Sequence, residues 1–577
     1  MAHIQLLGMA ESKSPEPLEP TQILVKDTLI KSIILDDVFL PLRADALAAH
    51  IAALDSPHGV VLYGCGALAR ALADGHGPTL REAGATFIVT DSPGEASFRG
   101  FPLGKAALLP PDTPRVLLLS GSYEAAMRQE LAFLPPSAVT TLEEAVCRGC
   151  TEALLDKARA RIHQEAEGLA AELRERFPDL ERTVCFIDPE LTMPYLETYA
   201  RLRGQGHAVV LLSRSHVPSM VPGKEMVARG YADFFHQAPS LHFLWVLAER
   251  LCGLVRFGLV NLWGLCYTYP LVNRVLAGSS GPVAVWLDTV LTQVIREEGM
   301  REFLLSTQDI DLPRAHQLER TLFARAGGVI SRIPPRQLEE TRALHASDAP
   351  CLTFYRPLLP VGDGRRVRPP LRGRAPRVIF VCSPHTRSDV TSHVAWTLEG
   401  IHEPIAALTG QGVEFSIFNP LDVGGGYESL RRAAEENPLL SYSPAIHPEA
   451  LLEEIAAHDF VWLARKVEPG GSGYHRTHLP LTIFQAVAAG TPVIVSPELA
   501  YLGELTLAHN LGFTLPYEDW GAARERMEAF DSQRSVEDIR TFRDTLSPER
   551  AAAQLAAFYE TVRQRHKAVN GHAPGPR

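Results

Sequence analysis

The chain has 577 residues, 46% of them hydrophobic and 21% charged, with a formal net charge of −11. This balance suits a soluble globular protein of three or four domains and excludes a broad basic face for nucleic acid. The opening residues, MAHIQLLGMAESKSPEPLEP, show no basic start followed by an apolar core, so no secretory signal is read and a cytoplasmic location is expected.

Residues 1–57 form a polar extension with prolines that ends in a predicted helix, LPLRADALAAHIAAL. From 58 to 150 the pattern is strand, glycine turn, helix and strand (GVVLYGCGALARALADG, GATFIVTD, PRVLLLSGSY). That alternation predicts a parallel sheet with crossover helices. Within LYGCGALA, Gly64, Gly66 and Ala69 form a G-x-G-x-x-A arrangement after an apolar strand, and Asp91 follows the next strand. Glycines there permit a tight turn and close approach of a phosphate to a helix start, while an acid suits a ribose hydroxyl. A bound NAD or nucleotide and a domain that binds nothing are the two alternatives.

Eight cysteines are scattered along the chain, which fits reduced cytosolic thiols. Only Cys147 and Cys150, in CRGC, have metal or redox spacing, and without a second pair or nearby histidines no metal site is predicted. Residues 151–182 carry a charged amphipathic helix, TEALLDKARARIHQEAEGLAAELRERF, expected to act as a connector.

A second α/β unit spans 183–360, through TVCFIDPELTMPYLETYARLRGQGHAVVLLS, GPVAVWLDTVL and RTLFARAGGVIS to CLTFYRPLLP. Ligands of such sheets bind outside the carboxyl ends of the strands. Asp188 and Glu190, after CFI, and Asp288, after VWL, are therefore candidates, with helix capping as the other role for Asp288. The most apolar stretch, FLWVLAERLCGLVRFGLVNLWGLCYTYPLV (243–272), is interrupted by Glu249, Arg250 and Arg256. It predicts a buried helix pair instead of a bilayer span, with a peripheral, one-sided membrane contact as the alternative.

A basic, proline-rich linker follows at 361–376, VGDGRRVRPPLRGRAP, a composition that favours extended chain. The third α/β unit, 377–567, contains RVIFVCSPHTRSD, GVEFSIF, HDFVWLA and TPVIVS. Its final helix has Ser547 as N-cap, Pro548 just inside and Glu549 in the first turn, and residues 568–577 are expected to be a disordered tail. Arg387 sits where a strand gives way to a helix; a guanidinium beside helix N–H groups suits a phosphate, a solvated loop arginine being the other reading. In TIFQAVAAGTPVIVSP a helix meets a glycine turn, Gly490-Thr491-Pro492, and returns as a buried strand. The predicted fold class is α/β, with Rossmann-like domains throughout.

The stretch RKVEPGGSGYHRTHLPLTIFQAVAAGTPVI, preceded by SYSPAIHPEALLEEIAAHDFVWL and followed by GELTLAHNLG, resembles the C-terminal domain of the GT-B glycosyltransferases. The likeness is to the large retaining family that uses nucleotide-sugar donors. It covers 377–567, and more weakly 183–360 in LRGQGHAVVLLS and LERTLFARAGGVISRI. The resemblance implies two Rossmann-like domains in a GT-B arrangement, here with an additional N-terminal one. It also implies transfer of a sugar from a nucleoside diphosphate to a hydroxyl of a glycan, protein or small molecule, with no metal or other cofactor required. The donor would lie over the strand tips near 490–492, among Arg387, Arg465, Lys466, Gly471, Thr477, Gln485 and Glu504. Arg387 and backbone N–H groups would stabilise the leaving diphosphate, and Asp288 would serve the acceptor side. This chain departs from the family where two donor-site carboxylates are replaced by Thr477 and Gln485. No lysine follows Arg387 within a few residues, so Arg465 and Lys466 would compensate. Each lost charge-assisted bond costs on the order of 1.5–3 kcal/mol. Two alternatives stay open: a glycosyltransferase-like protein that binds nucleotide-sugar or glycan without turnover, and an NAD-dependent oxidoreductase built on Gly64, Gly66 and Asp91.

Overall fold

The computed structural model describes residues 29–34, 36–54, 59–89, 97–110, 113, 115–120, 124–214, 221–264, 268–287, 290–294, 312–359, 371, 374–381, 398–419, 427–444, 448–465 and 479–571. Among them lie three mainly parallel sheets. The first contains β1 (Val61–Tyr63), β2 (Thr86–Val89), β3 (Ser97–Phe98), β4 (Phe101–Lys105), β5 (Val116–Leu118) and β6 (Val139–Thr140), in the order β3-β4-β2-β1-β5-β6. The middle sheet contains β7 (Thr183–Ile187), β8 (Ala208–Arg214), β9 (Phe234–Ala238), β10 (Leu259–Gly264), β11 (Val283–Leu287), β12 (Gly328–Ser331) and β13 (Cys351–Thr353), in the order β13-β12-β11-β10-β7-β8-β9. The third contains β14 (Arg377–Val381), β15 (Glu414–Asn419), β16 (Leu440–Pro444), β17 (Phe460–Trp462), β18 (Val493–Val495) and β19 (Gly512–Thr514), in the order β16-β15-β14-β17-β18-β19.

The central strands are near-continuous apolar runs because helices cover both faces of each parallel sheet. In the middle and third sheets the chain winds outward on one side of its first strand and then returns to the other side; the first sheet does the same apart from the edge strand β3, which precedes β4 and pairs antiparallel outside it. The reversals fall between β1 and β5, β7 and β10, and β14 and β17. Such switch points open a crevice outside the carboxyl ends of the two strands concerned.

The apolar stretch 243–272 is not a helix pair. It supplies the helix Leu241–Leu254, then β10, then the start of the helix Tyr269–Gly278. A short buried run such as LVNLWG cannot be assigned to strand or helix by periodicity alone. Gly258 decides it: its N–H donates to the Leu180 carbonyl at 2.7 Å, bringing the run alongside β7.

The same stretch is covered by protein. Phe243, Leu244, Leu247 and Leu251 are fully buried in a core that continues through Ile162 and Leu173 of the helix Glu152–Arg176 to Phe39, Leu47 and Leu72 of the N-terminal region. The Phe39 and Phe243 rings lie 5.9 Å apart, and the Ser240 hydroxyl donates to Asp36 at 2.8 Å. The expected connector helix is thus a core element, burying Leu155, Ala158, Ile162, Ala166, Leu169 and Leu173 at helical spacing. This packing replaces the one-sided membrane contact considered for the stretch. Among the described residues no helix is long and apolar enough to cross a membrane.

The third sheet has its own cores on its two faces. The chain passes from the middle to the third sheet through residues 354–358, with Phe354 buried in the middle core and Leu358 in the third. It crosses back with its last helix, Pro548–Gly571, read from sequence as part of the third unit. That helix packs Leu555, Phe558, Tyr559 and Val562 against Phe186, Tyr199 and Trp286 of the middle lobe. Asn261 of β10 donates to the Tyr559 hydroxyl at 2.6 Å. The helix runs to Gly571, into the stretch expected to be a tail.

Candidate functional site

The switch point of the third sheet carries Arg465, just beyond the end of β17. Its backbone N–H donates to the Ser496 hydroxyl at 2.7 Å, and that hydroxyl donates back to the Arg465 carbonyl at 2.7 Å. Ser496 directly follows β18, so the two strand ends are stitched together and Arg465, 6% exposed, is buried where they meet. The helix Leu481–Ala489 begins over the neighbouring strand end, where the Thr482 hydroxyl donates to the Val381 carbonyl of β14 at 3.4 Å. Gln485, one turn along, is half-buried. Glu504 is exposed on the helix Ala500–Ala508, which follows β18. Arg387, Lys466, Gly471 and Thr477 lie outside the described residues.

The bend at 490–492 lies at the other edge. Gly490 adopts φ 68°, the Gly490 N–H donates to Val487 O at 3.2 Å, and the Thr491 N–H donates to Ala486 O at 2.9 Å. This left-handed cap satisfies carbonyls that the helix end leaves open. The Thr491 hydroxyl donates to Ile455 O at 2.9 Å, and Pro492 O accepts from Val461 N at 2.9 Å. Because the helix starts at the carboxyl ends and runs back, its terminal bend sits at the amino ends of β17 and β18. A diphosphate over the carboxyl tips would therefore meet Arg465, Ser496 and the first turn of 481–489, not the bend.

On the middle sheet, Asp188 directly follows β7 with φ 54°, a left-handed conformation that Asp tolerates better than most residues. Its N–H donates to Leu212 O at 2.9 Å, and its carboxylate lies 3.1 Å from Nε of Arg214, the last residue of β8. Burial pushes its pKa up to about 6, although Arg214 opposes the shift. Two residues on, Glu190 pairs with Arg356 at 2.6 Å. Arg356 also donates to the Thr192 hydroxyl at 3.0 Å and stands 5.9 Å over the Tyr195 ring. Asp288, the other acceptor-side expectation, lies outside the described residues; β11 ends at Leu287.

Two adjacent residues tie these regions together. Arg356 reaches the loop after β7, while the Tyr355 hydroxyl is hydrogen-bonded to that of Tyr501, in the first turn of the helix after β18. The carboxyl ends of the middle and third sheets thus meet at one crossing. Sequence reasoning missed Arg214, Arg356 and Ser496. Arg214 ends the apolar run VVLLSR, a signal of the same kind as the one used for Asp188. Arg356 gives none, since its partners lie far away in sequence.

In the first sheet, Gly64 (φ 123°) follows β1, and Gly66 is the N-cap of the helix Ala67–Glu82, with Ala69 buried beneath it. A Cβ on Gly66 would meet nothing within 4 Å, so the helix start faces open space. Asp91 lies outside the described residues. Cys147 occupies the last turn of the helix Leu142–Gly149 and Cys150 caps it. That is the carbonyl end, which disfavours a thiolate.

No protein-family model matches the chain, and no curated protein does. Among solved structures, the chain is similar to the calicheamicin glycosyltransferase CalG4, at 14% identity over 68% of this chain and 99% of that one, with a TM-score of 0.34. It is likewise similar to Medicago truncatula UGT71G1 complexed with UDP-glucose, at 12% identity over 66% and 98%, TM-score 0.38. Arabidopsis thaliana UGT89C1 complexed with UDP gives 13% identity over 66% and 99%, TM-score 0.41.

Proposed function

We propose that the protein transfers a sugar from a nucleoside-diphosphate-sugar to an acceptor hydroxyl, with the donor over the third sheet and the acceptor over the middle one. The observation that carries this is the crossing at Tyr355 and Arg356, where the carboxyl ends of two doubly wound sheets are brought together. One side offers the buried Arg465 and the other a carboxyl group, Asp188, whose pKa burial raises to about 6.

Arg465 and the first N–H groups of helix 481–489 would stabilise the departing diphosphate. Arg387, Lys466, Gly471 and Thr477 would extend the donor site, and the Gln485 carbonyl would accept from ribose hydroxyls. Asp188 would take the acceptor's proton while the new bond forms between the acceptor oxygen and the sugar carbon. The bond from that carbon to the diphosphate breaks, and its electron pair leaves with the diphosphate. No metal is assigned a part in these steps.

Titration calorimetry against UDP-, GDP-, ADP- and TDP-sugars tests the donor side. At least one should bind, and Arg465→Ala and Arg387→Ala should each weaken it tenfold or more. Binding of none of them, or binding indifferent to both substitutions, would overturn this function. A second role, binding without turnover, is favoured by Thr477 and Gln485 standing where the resembling family has carboxylates; the absence of donor hydrolysis and of transfer would select it. For the first sheet we propose a nucleotide or NAD at the turn Gly64–Gly66, lost in Gly66→Val.

A further inference from the structure

The switch point of the middle sheet holds an aromatic group that proton transfer does not use. Trp263 of β10 and Trp286 of β11 are direct register partners, and their rings stack at 4.1 Å and 11°. Tyr195 meets both edge-on, at 5.3 and 5.9 Å, and Phe354 closes on Trp286 at 4.9 Å. Trp286 is fully buried, while Trp263 is only half-buried. One indole is thus clamped by its neighbours and still reached by solvent. The pairing of Leu262 with Ile187 puts the next residue of β10, Trp263, beside the next residue after β7, Asp188.

Tyr195, at the edge of this ring, carries the Arg356 guanidinium 5.9 Å over its own face, and Arg356 pairs with Glu190 and donates to the Thr192 hydroxyl, while Asp188, paired with Arg214, follows the neighbouring strand. A partly exposed indole with fixed ionic groups on the adjoining loop and strand ends is a mixed surface. A purely apolar acceptor would strip water from those groups without replacing its hydrogen bonds. A pyranose ring meets both demands. Its C–H faces suit the electron-rich face of an indole, and its hydroxyls can donate to carboxylates and accept from guanidinium groups. The clamped indole loses little rotamer freedom on binding.

We infer that the acceptor is a carbohydrate, bound with a sugar ring on Trp263 and its hydroxyls directed to Glu190, Arg356 and Arg214. This inference rests on the transfer function proposed above for its use in catalysis, but the ring-binding site itself does not.

The probes are maltose, cellobiose, lactose and chitobiose, with p-nitrophenol as a planar acceptor lacking a sugar, each titrated into the full chain while tryptophan emission and ligand saturation-transfer NMR are followed. At least one disaccharide should bind saturably. Trp263→Ala should weaken it tenfold or more, and Trp263→Phe should retain affinity within about threefold, as an aromatic platform requires. Glu190→Gln, which leaves the aromatic stack intact, should weaken the same disaccharide at least threefold and covers the case in which Trp263→Ala does not fold. Nucleotide-sugar binding, measured in parallel, should stay within twofold in all three variants. Binding of p-nitrophenol alone, or disaccharide binding indifferent to Trp263→Ala and Glu190→Gln, would overturn the inference. Disaccharide binding through Trp263 with no nucleotide-sugar binding would overturn the transfer function and leave the carbohydrate site standing.

Discussion

The first and middle sheets are joined in one way and the middle and third in another. Between the first two runs a single apolar core, from Leu47 and Leu72 through Ile162 to Phe243 and Leu247, with the Asp36–Ser240 hydrogen bond buried inside it. The third sheet keeps separate cores and is joined to the middle lobe by the passage 354–358 and the returning helix Pro548–Gly571. A shared core resists relative motion, whereas lobes linked by two passages can open and close around a ligand. The proposed chemistry falls on the second kind of junction, so the first sheet acts as a fixed wall behind the acceptor lobe.

The largest expected effect comes from cutting into the shared core. Phe243 is fully buried against Phe39, and Phe243→Ala should cost about 3–5 kcal/mol. Scanning calorimetry should show one transition for the first and middle sheets together, moved to lower temperature, with the third sheet's transition in place. Movement of the middle sheet's transition without the first would break the comparison.

A smaller effect of opposite sign is expected at Asp188. Its folded pKa of about 6 lies above the usual carboxylate value, so the native state holds the proton to higher pH than the unfolded chain does. The contribution of this group to stability is therefore greatest below about pH 4, falls as pH rises, and carries the full cost of the buried charge above about pH 6. Asp188→Asn should stabilise the first-plus-middle unit by about 1–3 kcal/mol at pH 7.5, less whatever the lost Arg214 pairing contributes. The gain should vanish near pH 4, and transfer should be lost with it, as expected where a site carries strain for function. A melting temperature no higher than that of the unmodified protein at pH 7.5 would remove the case for an unfavourable buried carboxylate.

Much of this arrangement was legible in the sequence, and the gaps have physical causes. Apolar runs beside glycine turns, such as VVLYG and VVLLS, announced the α/β class and the importance of their carboxyl ends. Asp188 and Glu190 followed from that rule, whereas Arg465 came only from the resemblance to the GT-B family. FPLGK, broken by a proline and a glycine, shows no apolar run, and GFT has too few residues for a period to show. β10 hid in a run that reads equally well as helix. Arg356, Trp263 and the grip of Tyr559 on Asn261 depend on contacts between distant segments. The glycine bend at 490–492 was visible, but which end of the sheet it occupies follows only from helix direction.

That bend provides the smallest effect and the finest test of the comparison. A Cβ on Gly490 would meet nothing within 4 Å, so Gly490→Ala creates no clash and costs only the left-handed backbone conformation, about 1 kcal/mol. Gly512, at the start of β19, is different: a Cβ there would sit 1.9 Å from Val493 O, so the strand itself would have to shift. Both glycines lie at the amino edge of the third sheet, away from Arg465. Gly490→Ala should lower the third sheet's transition by a few degrees or less, leave the shared-core transition unmoved and keep nucleotide-sugar affinity within twofold. A tenfold loss of affinity with so small a loss of stability would put the donor at the bend and take it away from the carboxyl tips, on which the two-lobe cleft depends.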